Sequence, residues 1–148
     1  MTIYFYSKTD DYYWLSNFSK HGFQLDGEYW PTVEHYFQAQ KFPGSEQASK
    51  IRKARTPRDA KKFGRDRSEP LREDWEDVKD DVMRSAVLQK FKTHQELQEM
   101  LLATGNEELV ENAPSDYYWG CGADGTGKNR LGEILMEIRA QFAQGSVD

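Results

Sequence analysis

The chain has 148 residues, with 20 Lys and Arg against 25 Asp and Glu, a formal net charge of −5 and a pI near 5.3. That length suits one domain with a core of its own, and the acidic balance argues against broad electrostatic binding to nucleic acid while leaving room for a local basic groove. The single cysteine, Cys121, excludes an internal disulfide and a cysteine-based metal set.

No apolar run is long enough to span a bilayer, and Met1 to Ser7 lacks the basic start and apolar stretch of a secretory leader, so a cytoplasmic setting away from membranes is expected. His21, His35 and His94 are scattered without ligand-like spacing to acids. They read as surface or partly buried polar side chains, and neither a metal nor a cofactor is expected.

In chain order, Thr2 to Tyr6 is rich in β-branched and aromatic residues, and Phe23 to Leu25 and Glu28 to Trp30 flank Asp26-Gly27, a strong two-residue hairpin turn. After Pro31 the character becomes helical. Thr32 caps a helix to about Phe42, closed by Pro43-Gly44, and a second helix covers Glu46 to Arg55. Thr56-Pro57-Arg58-Asp59 reads as a cap, a first-turn proline and an acidic third position, opening a short helix to Phe63 that stops at Gly64.

Trp75, Val78, Val82 and Ala86, widened by Met83, Val87 and Phe91, give a long amphipathic helix over Asp74 to Lys92. Thr93-His94-Gln95-Glu96 has the form of a capping box opening a helix through Leu97, Met100 and Leu101 to Gly105, and Leu109-Val110 adds a short strand. Leu131, Ile134, Leu135, Ile138 and Phe142 mark the last helix, followed by a frayed tail over 143–148. This order predicts an α+β fold, a single mainly helical domain over 1–148 with a small N-terminal β-hairpin or sheet.

Two places carry candidate chemistry. Glu34, Gln38 and Lys41 project from one stripe of the helix after Pro31, with Glu34 and Lys41 about two turns, roughly 10 Å, apart along the axis. They flank a ligand-sized gap, opposite a mostly apolar stripe of Val33, Tyr36, Phe37 and Gln40; plain solvent exposure is the alternative. The first-turn position favours an ionised Glu34 through the helix dipole.

The second place is Ser115 to Gly132, where five glycines, Asp116, three aromatics and Lys128-Asn129-Arg130 precede an apolar helix. Glycines allow close approach of backbone to a ligand, a helix start supplies N–H groups suited to phosphate, and Tyr118 and Trp119 can stack on a flat base. A mobile connection is the alternative. Gly122 to Lys128 matches the start of a phosphate-binding P-loop, yet Asn129 stands where the magnesium-binding Ser or Thr belongs, no apolar strand leads in, and too little chain follows. Gly64-Arg65-Asp66-Arg67 adds guanidiniums suited to phosphate.

Taken together, Phe5-Tyr6-Ser7, Ser16-Asn17-Phe18, W-P-T-V-E-H-Y-F-Q-A-Q-K-F from Trp30 to Phe42, G-R-D-R-S from Gly64, Trp75 with Lys79, and Tyr118-Trp119-Gly120 through G-K-N-R-L-G at Gly132 resemble the NADAR domain family, in its YbiA-like branch, over Ile3 to about Phe142. The resemblance implies an N-glycosidase acting on a ribose C1–N bond. Its substrate would be either ADP-ribose on guanine in nucleic acid, reached by local contact, or a phosphoribosylamino-pyrimidine intermediate of riboflavin synthesis.

It implies Glu34, Lys41 and Asp116 as catalytic groups, and Asn17, Gln38, Arg65, Tyr118, Trp119, Gly120, Gly122, Lys128 and Asn129 around the ligand. In such chemistry Glu34 stabilises charge at the anomeric carbon or orients water, or instead Lys41 attacks an opened ribose as a Schiff-base lysine, while Asp116 moves protons to the leaving base. A module that binds NAD or ADP-ribose without chemistry would use the same glycines, aromatics and cations.

Overall fold

A computed structural model describes residues 1–145. In chain order its elements are β1 (Thr2–Phe5), a 3-10 turn at Tyr13–Leu15, β2 (Phe23–Leu25), β3 (Glu28–Trp30), α1 (Val33–Ala39), α2 (Glu46–Arg52), α3 (Pro57–Gly64), α4 (Trp75–Thr93), α5 (Gln95–Ala103), β4 (Glu108–Glu111) and α6 (Arg130–Ala143). The chain is mixed α+β and mainly helical, as the order of elements predicts. It gathers into two compact units: Asn17–Thr93, and Met1–Ser16 with the chain from His94 onward. Among the described residues no helix is long and apolar enough to cross a membrane.

In the unit Asn17–Thr93, β2 and β3 pair as the antiparallel hairpin that Asp26-Gly27 dictates, with Phe23 opposite Trp30 and Leu25 opposite Glu28. Asp26 (φ 54°) and Gly27 (φ 79°) both take the left-handed backbone that matches a two-residue turn to the strand twist. The Trp30 indole N–H donates to the Leu25 carbonyl at 2.9 Å, and the Tyr36 hydroxyl donates to Asp26 at 2.7 Å, tying the hairpin to α1.

Thr32 caps α1 as its sequence position predicts, its hydroxyl accepting the His35 N–H. The helix ends at Ala39 rather than Phe42. The N–H groups of Lys41 and Phe42 turn back to Gln38 and Ala39, an i to i−3 tightening that places Lys41 just beyond the α-helix. All of Val33 to Ala39 is buried, so the stripe read as a polar face lies inside the unit.

The next helix, α2, ends at Arg52 rather than Arg55, because the Ala54 carbonyl receives the His35 ring and Thr56 turns away to cap α3. That cap is as expected, with the Asp59 N–H donating to Thr56 Oγ1 at 3.0 Å and Pro57 in the first turn. The buried face of α4 is Trp75, Met83, Ala86, Val87, Lys90 and Phe91, whereas Val78 and Val82 sit at its half-exposed edge.

The capping box predicted at Thr93 is not formed. The long helix consumes Thr93 as its last residue, one extended residue is needed between helices, and His94 (φ −111°, ψ 92°) takes that place without a side-chain cap bond.

In the other unit β1 and β4 run parallel, from Thr2 opposite Glu108 to Phe5 opposite Glu111. The N-terminal strand thus pairs with a strand from far along the chain, in a sheet separate from the hairpin. The α6 helix packs on β4 through Leu131, Ile134, Leu135 and Ile138, with Leu97 and Leu101 of α5 completing the core. Buried Arg139 donates to Thr104 Oγ1 at 2.9 Å, and that hydroxyl donates to the Leu101 carbonyl, closing the C-terminus of α5. Of the tail predicted at 143–148, Ala143 ends α6, Gln144 is its C-cap, and 146–148 lie outside the described residues.

Candidate active site

The unit Asn17–Thr93 brings Asn17, Glu34, Gln38 and Lys41 inside together, exposed by 6, 7, 4 and 8% respectively. The Asn17 carbonyl accepts the Glu34 N–H, at the first turn of α1, and the Gln38 amide donates to Glu34 Oε2 at 2.7 Å. Gln38 is therefore clamped to the acid, within the gap that sequence spacing left open between Glu34 and Lys41. The Lys41 ammonium stands 5.8 Å from the ring centres of both Phe37 and Trp75, which pack edge to face.

Burial raises the Glu34 pKa, and the Gln38 hydrogen bond with the charges of Lys61, Lys41 and Arg65 pulls it back. Burial likewise lowers Lys41 to about 8, helped by Arg67, Arg65 and Lys61 and opposed by Glu34. An acid and a lysine, each pushed toward its neutral form, face the same group of cations. That is how titratable groups are prepared for proton or nucleophile chemistry near neutral pH.

Two buried acceptors, Asn17 Oδ1 and Gln38 Oε1, have no hydrogen-bond partner. The Asn17 amide nitrogen rests on Met83 Sδ at 3.5 Å. Unpaired buried carbonyls are costly in a finished core and are satisfied when a donor arrives from a ligand.

In the other unit Asp116, Tyr118, Trp119, Gly120, Gly122, Lys128 and Asn129 form one closed turn. Asp116 Oδ1 accepts the N–H groups of Tyr118 and Trp119 at 3.0 and 2.8 Å, so its carboxylate shapes the turn. The Tyr118 and Trp119 rings meet edge to face with centres 4.8 Å apart, and Lys128 Nζ lies 5.5 Å from the Tyr118 ring.

The helix start behaves differently from the expectation of free N–H donors. The N–H groups of Asn129, Arg130 and Leu131 donate to the carbonyls of Gly120, Tyr118 and Trp119. The loop folds back on α6 and caps it with its own backbone, which removes those donors from any phosphate. Asn129 is turned inward too: its side chain accepts the Glu111 N–H at 3.0 Å and donates to the Leu109 carbonyl at 2.9 Å, pinning β4. A Cβ at Gly120 would sit 2.8 Å from the Glu111 carbonyl, so this glycine provides close packing of chain on chain. Buried Cys121 lies 3.4 Å from Asn112 Oδ1.

Sequence reading did not find Lys61 and Arg67 as members of the Glu34 and Lys41 environment. Lys61 sits on α3 and Arg67 just past it, and the packing of α3 on α1 was the missing fact. Nor did it find the burial of Lys90, held at about 7 by burial, since a lysine near a helix end ordinarily reaches solvent. His35, read as a surface or partly buried side chain, is 1% exposed and bonded at both ring nitrogens, to Thr32 Oγ1 at 2.8 Å and the Ala54 carbonyl at 3.0 Å. Among the described residues no three His, Cys, Asp or Glu side chains gather to hold a metal ion.

The chain is 52% identical over 141 residues to N-glycosidase YbiA of Escherichia coli (strain K12), covering 95% of this chain and 88% of that protein. It is 42% identical over 155 residues to the chloroplastic riboflavin biosynthesis protein PYRR of Zea mays, covering 95% of this chain but 25% of that longer protein. The solution NMR structure of the E. coli protein YbiA superposes with a TM-score of 0.90 at 51% identity, covering 97% of this chain and 86% of that one. The family model described as the NADAR domain matches residues 4–143, and the chain belongs to the NADAR domain family.

Proposed function

We propose that the Glu34, Gln38 and Lys41 cluster hydrolyses the C1–N bond of a ribosyl phosphate, the chain being a hydrolase of N-glycosyl bonds whose substrate class is the phosphoribosylamino-pyrimidines. The observation that carries this is a buried carboxylate held by an amide and facing Lys41, Lys61 and Arg65. Cleavage of the bond builds positive charge at the anomeric carbon, and Glu34 in its ionised form stabilises that charge or orients the attacking water. Lys61, Arg65 and Arg67 provide a local positive field in an otherwise acidic chain, suited to the substrate phosphate. Asn17 Oδ1 is a free acceptor for a substrate donor.

The names of the relatives, N-glycosidase for one and riboflavin biosynthesis for the other, support this reading. A cytoplasmic setting, where Cys121 remains a thiol, fits such a metabolite. Asp116 serves by holding its turn, in which Tyr118, Trp119 and Lys128 offer an aromatic and cationic surface.

Lys41 supports a second, covalent route, because its pKa near 8 leaves a useful fraction as free amine. In that route the amine adds to C1 of the ring-opened, protonated N-glycoside, the base leaves as its amine, and water hydrolyses the lysine imine to free sugar. Borohydride added during turnover reduces the imine to a stable adduct on Lys41; an active enzyme yielding none works by direct hydrolysis.

The test is mass-spectrometric detection of the pyrimidine freed from a phosphoribosylamino-pyrimidine and of the ADP-ribose freed from DNA carrying ADP-ribosylated guanine. Release from the first supports the proposal. Release from the DNA alone transfers the activity to a nucleic-acid substrate. With neither cleaved by folded protein, the proposal falls and the chain is a binding module or acts on another ribosyl substrate.

A further inference from the structure

We infer that Gln38 is a specificity-determining residue: its side-chain carbonyl receives the hydroxyl on the sugar carbon next to the anomeric carbon, so the site selects ribosyl over 2-deoxyribosyl substrates. The inference rests on the glycosidase reading of Glu34. Gln38 Nε2 is committed to Glu34 Oε2 at 2.7 Å, which fixes the amide and leaves Oε1 as an acceptor one amide group away from the acid. That oxygen is buried and has no partner.

An independent observation concerns Gly64, the last residue of α3. Its backbone is not in the left-handed region, so no turn requires glycine there, and glycine is the poorest residue for a helix after proline. A Cβ at Gly64 would run into Gln38 Oε1. The neighbouring helix is thus shaped around this carbonyl, keeping it in place without hydrogen-bonding to it.

The contact follows from the adjacency of C1 and C2 in the sugar ring. With Glu34 at C1, an acceptor held beside the carboxylate faces a substituent on the adjoining ring carbon, which in ribose is a hydroxyl and in 2-deoxyribose a hydrogen. The hydrogen bond to this hydroxyl forms in the bound sugar and strengthens further as charge develops at C1, so the contact adds to ground-state binding and more to the transition state. A buried acceptor left empty by the deoxy substrate makes discrimination steep.

The experiment compares turnover of a phosphoribosylamino-pyrimidine and its 2-deoxyribosyl counterpart by the parent and by Gln38→Met, a substitution of similar volume whose folding is checked by thermal melting. Because both proteins see the same pair of substrates, the intrinsic lability of the deoxy compound cancels in the ratio of ratios. The parent's preference for ribosyl over deoxyribosyl, measured as kcat/KM, should fall at least about tenfold in the variant. An unchanged ratio overturns the inference.

Calorimetric titration of the parent with ribose 5-phosphate and 2-deoxyribose 5-phosphate separates this claim from the glycosidase reading and does not depend on the variant. If neither substrate turns over but ribose 5-phosphate binds at least about tenfold more tightly, the contact stands and the hydrolase reading falls. Equal affinities, or no binding of either sugar, overturn the contact.

Discussion

Replacing Lys41 by methionine should make the protein more stable while lowering turnover. Burial between Phe37 and Trp75, with Arg67, Arg65 and Lys61 nearby, lowers this ammonium from an ordinary 10.5 to about 8. At about 1.4 kcal/mol per pH unit that displacement corresponds to roughly 3 kcal/mol against the folded state, reduced to about 2 kcal/mol by the solvent that reaches the group. Methionine keeps the stem's packing and removes the charge.

The sign with pH is specific. Below about 8 the lysine is charged in both folded and unfolded chains, so the full penalty applies; between about 8 and 10.5 the folded protein sheds the proton first and stability recovers; above that range the penalty is gone. Urea unfolding of parent and Lys41→Met from pH 7 to 11 should therefore show the variant ahead by about 2 kcal/mol at pH 7, or about 4–8 °C in Tm, with the gap closing by about pH 10.5. A variant that is less stable at pH 7, or a gap that does not change with pH, would refute the reasoning.

Other outcomes follow from the same physics. His35 is buried with a pKa below its ordinary value through desolvation, so its contribution is complete above about pH 6.5 and lost as the pH falls below it; melting from pH 7 to 4.5 should show a loss that is smaller in His35→Gln. Asn129→Ala removes both bonds to β4 and leaves the Glu111 N–H and Leu109 carbonyl without the side-chain partner, costing about 1–3 kcal/mol in urea unfolding. Thr32→Ala removes the α1 cap for about 1 kcal/mol, and because this helix carries Glu34 and Gln38, kcat should fall with it in a steady-state assay.

Local chemistry was the legible part of this chain. Asp26-Gly27 could only be a hairpin turn, Thr32 and Thr56 announced two helix starts, and Leu131 to Ile138 traced the buried face of α6. What escaped depends on contacts between distant residues. Parallel pairing of β1 with β4 leaves no local mark, and the end of α1 at Ala39 is set by the tight turns that follow it. The enclosure of Glu34, Gln38 and Lys41 turns on which helices surround α1. A periodicity argument names the face of a helix, but cannot say that every face is covered.

The glycine-rich turn shows the opposite error. Its composition suggested backbone N–H groups open to a ligand, whereas the loop carbonyls of Tyr118, Trp119 and Gly120 consume those donors. Composition supplied the flexibility to fold back, and the partner of each N–H was a tertiary matter. Along Trp30 to Phe42 the resemblance and the geometry lead to the same helix, with the acid, the amide and the lysine in one buried group.

The central claim is that the buried Glu34 carboxylate performs the cleavage, and single-turnover release of base by Glu34→Gln against the parent tests it most directly. Glutamine keeps the shape and loses the charge, so melting temperature should hold or rise while the rate falls by at least about a hundredfold. A folded Glu34→Gln protein that releases base at the parent rate would contradict the account.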